Sequence, residues 1–251
     1  MRKTNTTLRK LLIIALLFTI ASEMYSESPY RKNIYNSFIN RQMYKWEAII
    51  RTMDAVPEPT TLEQKLEHID YYYGYSAHLI GKKQYNEAES EISKAEVLVN
   101  NLIRISPKNA TVYAYKGAFI GLKIASNKLK SIYLKSESND YINKALDLDP
   151  HNVQALIDKG NMLFYSPFVF GGNKKEALNY YLTAASLLEK NKDTNQNWKY
   201  LNLLTVIGLA YDKEDMPNEA KITYEKLLRK EPNYKLVRDE LYPKLLHKLK
   251  N

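Results

Sequence analysis

LNLLTVIGLAYDKEDMPNEAKITYEKLLRKEPN, residues 201–233, decides how this chain is read. Gly208, Tyr211, Ala220, Tyr224 and Pro232 stand 7, 10, 19, 23 and 31 residues after Leu201. That spacing predicts a helix–turn–helix unit of about 34 residues. Gly208 and Ala220 are small where two antiparallel helices must touch closely. Tyr211 and Tyr224 fill the space around that contact, and Pro232 falls where the second helix can no longer continue.

Working outward, the same pattern returns in stretched form. Val153, Leu156, Gly160 and Leu163 match the start of the unit, and Ala177, Tyr181 and Ala184 match its second half. Between them SPFVFGG (166–172) inserts five residues, since glycine to alanine spans 17 positions here and 12 in the 201–233 unit. An earlier copy starts near Ala110 with Tyr113 and Gly117, its first helix running on through Ile124, and resumes at Ser138, Ile142 and Ala145. Another starts near Ile69, with Tyr72, Tyr75, Ser76 and Leu79 as the packing face. It turns at GKKQYNEA (81–88), and Ala88 to Pro107 spans 19 residues against 12 for Ala220 to Pro232, so its second helix should be about two turns longer. Upstream, Phe38, Ile39, Met43, Trp46, Ile49, Ile50 and Met53 recur at helical spacing. Pro57 and Pro59 interrupt them, and a helix opens at Thr60 or Thr61 with Glu63 or Gln64 as the partner of a capping box. An amphipathic helix over 235–249 reads as the terminal cap a stacked array needs.

Composition agrees with an all-helical chain: 251 residues, 45% hydrophobic and 26% charged, with only 8 glycines and no run of β-branched alternation. The 21 tyrosines suit packing between helices, each hydroxyl reaching a wet edge. At the N-terminus, Arg2, Lys3, Arg9 and Lys10 precede the apolar run 11–21, too short to span a bilayer and of the length of a secretory signal. Residues 1–21 are therefore expected to be a signal peptide, Thr19 and Ala21 suiting cleavage after Ala21 with Ser22 or Ser26 as alternative points, and a helical-repeat domain is expected over 34–251. The destination would be a bacterial periplasm or the exterior, with no stable membrane span once the signal is removed. The chain has no cysteine, hence no disulfide, lipidated cysteine or thiolate metal site. Residues 1–21 hold four basic and no acidic side chains, so the remainder carries 33 basic against 28 acidic. This surplus of five, spread along the chain, argues against a nucleic-acid partner.

By Gly160, Ala177, Gly208, Ala220 and Pro232 the chain resembles the tetratricopeptide-repeat family over about residues 34–249. The resemblance implies a right-handed superhelix of antiparallel helix pairs with a C-terminal capping helix, whose first helices line a concave surface that binds proteins or peptides. FYSPFVFGGNKKEALNYY (164–181) is similar, more narrowly, to exported repeat proteins related to the T-component of TRAP transporters, with Asn173 where they carry aspartate. That likeness implies docking to a periplasmic solute-binding protein.

Gly171-Gly172-Asn173 lacks the Gly-Lys-Ser/Thr of a phosphate loop. It reads instead as a tight turn with Asn173 and Glu176 capping the next helix. His68, His78, His151 and His247 form no zinc motif, and His68 and His78 are expected at partly exposed polar positions. Asp147 and Asp149 lack the rest of a calcium loop and are expected to end a helix before Pro150. No metal or cofactor site and no catalytic grouping emerges, so the chain is read as non-enzymatic. By the family's counting of groove-facing positions, the candidate partner contacts are Asp70, Tyr73, Gln154, Asn161, Tyr165, Asn202 and Asp212. Lysine and arginine are missing from the places that would grip a terminal carboxylate. Phe168, Val169 and Phe170 are expected to tuck over the repeat core; left exposed, Phe168 and Phe170 join the contacts. The leading expectation is an exported scaffold for a protein or peptide partner. The rival is a TRAP-type accessory or a small-molecule-holding periplasmic protein, marked by a polar pocket between the long helices at 88–134.

Overall fold

The computed structural model describes residues 28–56, 61–127 and 131–250, with 131–133 described by backbone alone. The expected signal segment and the prolines at 57 and 59 lie outside these residues. Eleven α-helices account for most of the described chain. They are α1 (Arg31–Ile39), α2 (Met43–Ala55), α3 (Leu62–Gly81), α4 (Tyr85–Ile105), α5 (Ala110–Ser126) and α6 (Ser131–Leu148). After them come α7 (Val153–Tyr165), α8 (Lys174–Lys190), α9 (Trp198–Lys213), α10 (Pro217–Lys230) and α11 (Tyr242–Lys248). Helices α3/α4, α5/α6, α7/α8 and α9/α10 pack as successive antiparallel pairs, the helix–turn–helix units that the spacing predicted, in the superhelix that the family resemblance implied.

Local chemistry explains the boundaries. Thr61 accepts from the Gln64 amide at 3.2 Å while its own amide donates to Gln64 Oε1 at 3.4 Å, the capping box at the start of α3. Asn109, Asn152, Asn173 and Asn197 cap α5, α7, α8 and α9 in the same sense. Arg41 takes a left-handed backbone (φ 59°), which folds the upstream apolar stripe into two helices, α1 and α2. Asp149 lies just past α6, its carboxylate accepting the His151 amide. The longer second helix of the first pair is present: α4 has 21 residues against 14 in α10.

Within each pair the small residue has the role its spacing implied. A Cβ on Gly208 would sit 2.2 Å from the Tyr224 ring, and one on Gly160 would sit 2.5 Å from the Tyr181 ring. Tyr181 and Tyr224 are fully buried, so each aromatic ring fills the recess left by the missing side chain. The terminal cap begins with a π turn (Val237–Leu241) that runs into α11, with Val237 and Leu245 buried on the last pair.

The superhelix closes on itself. Helix α1 contacts α9, and its residues divide between two cores: Ile34 joins the N-terminal core, Tyr35 and Ile39 the C-terminal one. Phe38 packs against Trp198 at 5.8 Å and Tyr234 at 5.1 Å, and Trp46 meets Trp198 edge-on at 4.9 Å. Polar contacts repeat the closure, with Arg31 Nη2 2.5 Å from Asp193, Tyr35 Oη 2.8 Å from Glu231 and Arg41 paired with Glu240.

Candidate functional site

Closure puts the inner faces of α3, α5, α7 and α9 against one another, and the polar residues on those faces meet. Asp70 on α3 accepts from Trp198 Nε1 at 3.0 Å, Tyr115 Oη at 2.7 Å and Lys199 Nζ at 2.8 Å, joining three helices at one carboxylate. Lys199 also donates to Tyr115 Oη at 2.9 Å. Beside this group Asp158, 4% exposed, accepts from Tyr73 Oη at 3.1 Å and Gln154 Nε2 at 2.8 Å. Asn161 donates to Tyr73 Oη at 3.2 Å and accepts from Tyr181 Oη at 2.9 Å, carrying the network to α8.

Burial dominates the titration of these groups. It lifts Asp158 to about 7, although the Gln154 and Tyr73 hydrogen bonds and the Lys199 charge favour its ionised form. Burial and the neighbouring carboxylates Asp158 and Asp70 hold the Tyr73 and Tyr115 phenols well above their usual range. Both phenols are therefore hydrogen-bond donors at neutral pH, aimed at carboxylates.

Of the counted first-helix positions, several are enclosed rather than open. Tyr73 and Gln154 are buried, and Asp70 and Asn161 are half-buried with their polar groups engaged as above. Tyr73 and Gln154 are thus enclosed, and the polar groups of Asp70 and Asn161 are engaged within the chain, Asp70 by Trp198 and Lys199 of α9. Asn202 is half-buried on α9, and Asp212 pairs with Lys248 of α11 at 3.0 Å, holding the terminal helix. Asp158, Tyr115 and Lys199 were not singled out from sequence. The available signal was Gln154, Asp158 and Asn161 recurring at four and three residues, a polar stripe on one face of α7. His68, expected at a partly exposed position, is buried with Nε2 3.1 Å from Asp54. Burial lowers its pKa against the pull of Asp54.

The 166–172 insertion overturns a second expectation. Phe168, Val169 and Phe170 do not tuck over the core; they form a single 3₁₀ turn and are 89%, 81% and 67% exposed. Tyr165 at the end of α7 is exposed beside them. The turn's backbone is nevertheless well tied. Phe170 and Gly172 amides donate to the Pro167 carbonyl at 2.9 and 3.0 Å, and Asn173 donates to Leu163 at 3.0 Å. Lys135 on α6 donates to the Phe170 carbonyl. Gly171 has positive φ (79°), whereas Gly172 is demanded by closeness, since a Cβ there would lie 1.9 Å from the Ser166 carbonyl oxygen. A rigid turn therefore presents apolar side chains to solvent.

Two recesses open on the surface. One of about 370 Å³ lies between the start of α3 and the end of α4, lined by Lys65, His68, Leu102 and Ile105 among others. The other, of about 360 Å³, lies beside the exposed turn, between α6 and α7. Between α4 and α5, Glu96 pairs with Lys116 and Lys123. Among the described residues no helix is long and apolar enough to cross a membrane, and no group of three or more His, Asp or Glu side chains is placed to hold a metal.

No family model matches the chain, and no curated protein does. Solved structures do match. TTC0263, a thermophilic TPR protein of Thermus thermophilus, superposes with a TM-score of 0.51 at 14% identity, over 84% of this chain and 98% of that one. A chain of the APC/C hetero-tetramer Cut9–Hcn1 superposes with a TM-score of 0.50 at 18% identity, over 91% of this chain but 45% of its own length. PilF of Pseudomonas aeruginosa gives 0.44 at 20% identity, over 74% and 71%. These matches lend no support to the narrower likeness to TRAP T-components. With the paired helices and the glycine–tyrosine contacts above, the first two identify the fold as that of a tetratricopeptide-repeat protein.

Proposed function

We propose that this chain is an exported, non-enzymatic helical-repeat scaffold that binds a protein or peptide partner in the cell envelope. The observation that carries the reading is the exposed turn at Phe168–Phe170, held rigid by backbone hydrogen bonds on a packed repeat frame. A contiguous apolar group presented in this way is a docking feature. A rigid frame also lowers the ordering cost of binding. Partner contact is assigned to Tyr165, Phe168, Val169 and Phe170, and no longer to the inner faces of the first helices. The non-enzymatic part is supported by the most perturbed carboxylate, Asp158, being enclosed and fully committed to Tyr73 and Gln154. Export rests on the charge and apolar pattern of residues 1–21.

The test has two arms. Mass spectrometry of the protein expressed from its full reading frame should find a mature N-terminus after Ala21 and the protein in the envelope fraction; an uncleaved chain in the cytosol refutes export. Affinity capture from an envelope extract should recover a discrete partner with the wild type and lose it with Phe168→Ser/Phe170→Ser. Equal capture by this variant refutes the surface assignment.

A further inference from the structure

The recess beside the exposed turn has a chemistry of its own. Met162, Leu163 and Phe170 supply its apolar wall, and Lys135 and Asn139 supply a polar rim. Lys159 stands behind that rim, its Nζ 2.9 Å from both Asn139 Oδ1 and Asn143 Oδ1. The turn then leads directly into exposed Lys174 and Lys175 at the start of α8. Three acidic groups adjoin this surface, exposed Asp140 beside Asn139 on α6 among them. Glu176 is exposed and hydrogen-bonded to Asn173, and its charge reaches Lys159; Glu137 is exposed on α6. Four lysines thus stand against three acidic groups, a cationic excess of one around an apolar centre.

Resting on the reading of the chain as an interaction scaffold, we infer that this recess and turn receive an acidic–apolar peptide segment: one large apolar side chain enters between α6 and α7 while flanking carboxylates meet Lys135, Lys174 and Lys175. Three features favour a peptide over a lipid surface. The apolar wall is concave between two helices, and a bilayer laid against Phe168 would leave that recess empty. The recess volume, about 360 Å³, exceeds what a single leucine or phenylalanine side chain needs. Lys135 of α6 lines the recess and Lys174 and Lys175 directly follow the turn that walls it, so a segment lying along the turn meets cations from two elements. Opposite charges at such a rim steer association and fix register more than they add affinity.

The probe is a fluorescein-labelled peptide in which glutamates flank a Leu-Phe centre, read by fluorescence anisotropy. The same peptide with lysines replacing the glutamates serves as the charge control. The acidic peptide should bind the wild type with an affinity that falls as salt is raised. Phe168→Ser/Phe170→Ser and, separately, Lys174→Glu/Lys175→Glu should each weaken it by about tenfold or more, the scale of losing a binding hot spot. Far-UV circular dichroism checks that both variants fold, which their exposure favours. Equal binding of the acidic and basic peptides, or binding unaffected by both variants, overturns the inference. So does turn-dependent co-sedimentation with phosphatidylcholine–phosphatidylglycerol vesicles in the absence of peptide binding, which would assign a lipid surface instead. If the peptide fails while turn-dependent capture of an envelope protein persists, the scaffold reading stands and the acidic–apolar assignment falls; if both fail, both fall.

Discussion

Replacing Asp158 by asparagine should change how stability depends on pH, because the native carboxylate holds its proton far above the range of the unfolded chain. Its pKa rises from 3.8 to about 7 on folding, chiefly through burial. Between these values the unfolded chain has released the proton and the native state has kept it, so stability falls as pH rises through that window and levels off above it. A rise of about three units corresponds to about 4 kcal/mol across the full window, and to about 3 kcal/mol between ~pH 5 and ~pH 8. The substituted amide has no proton to lose. Its carbonyl oxygen can still accept from Tyr73, and the Gln154 amide can turn to present its oxygen to the new amide group. The assay is urea unfolding followed by circular dichroism, for both proteins at ~pH 5 and ~pH 8. The difference between variant and wild type isolates the site. His68, its pKa lowered by burial, acts in the opposite sense by losing stability as pH falls, so the raw curve mixes the two. The variant should gain on the wild type by about 3 kcal/mol on going to the higher pH. A difference that does not move with pH refutes the claim that Asp158 is enclosed and kept from water.

Four further outcomes are expected. Gly208→Ala must displace the buried Tyr224 ring and should cost about 1–3 kcal/mol in urea unfolding; a neutral result would show the helix pair to be loosely packed. Thr61→Ala removes the cap of α3 and should cost about 0.5–2 kcal/mol, while Thr61→Ser should keep most of that stability. Phe168→Ser/Phe170→Ser should leave stability within about 0.5 kcal/mol, since both side chains face solvent; a larger loss would mean the turn packs on the core after all. Trp198→Phe removes the donor to Asp70 and the edge-on contact with Trp46, and should be visible as a changed near-UV circular dichroism spectrum and a lower urea midpoint.

Most of the frame could be read from the chain because it is written at short range. Gly160 and Tyr181, or Gly208 and Tyr224, lie within one helix pair, and their offsets recur whatever happens elsewhere. Caps such as Thr61–Gln64 are shorter-range still. The site was less legible for two separate reasons. Trp198 reaches Asp70 across 128 residues, and no local periodicity records that meeting. The count of inner-face positions names Asp70, but nothing in it says that Trp198 and Lys199 of α9 will engage that carboxylate. The Phe168–Phe170 turn misled in the other direction. Apolar content argues for burial, whereas the hydrogen bonds of Pro167, Leu163 and Lys135 hold the turn outward by backbone geometry that composition does not encode.

The meeting of α1 and α2 with α9 also bears on how such a chain can change over time. An array open at both ends can lengthen or shorten by duplicating or deleting a unit, since each unit touches only its neighbours. Here an added unit would carry Trp198 and Lys199 away from Asp70 and part Arg31 from Asp193. A unit inserted between α3 and α9 would break these contacts, whereas the 166–172 insertion leaves them intact.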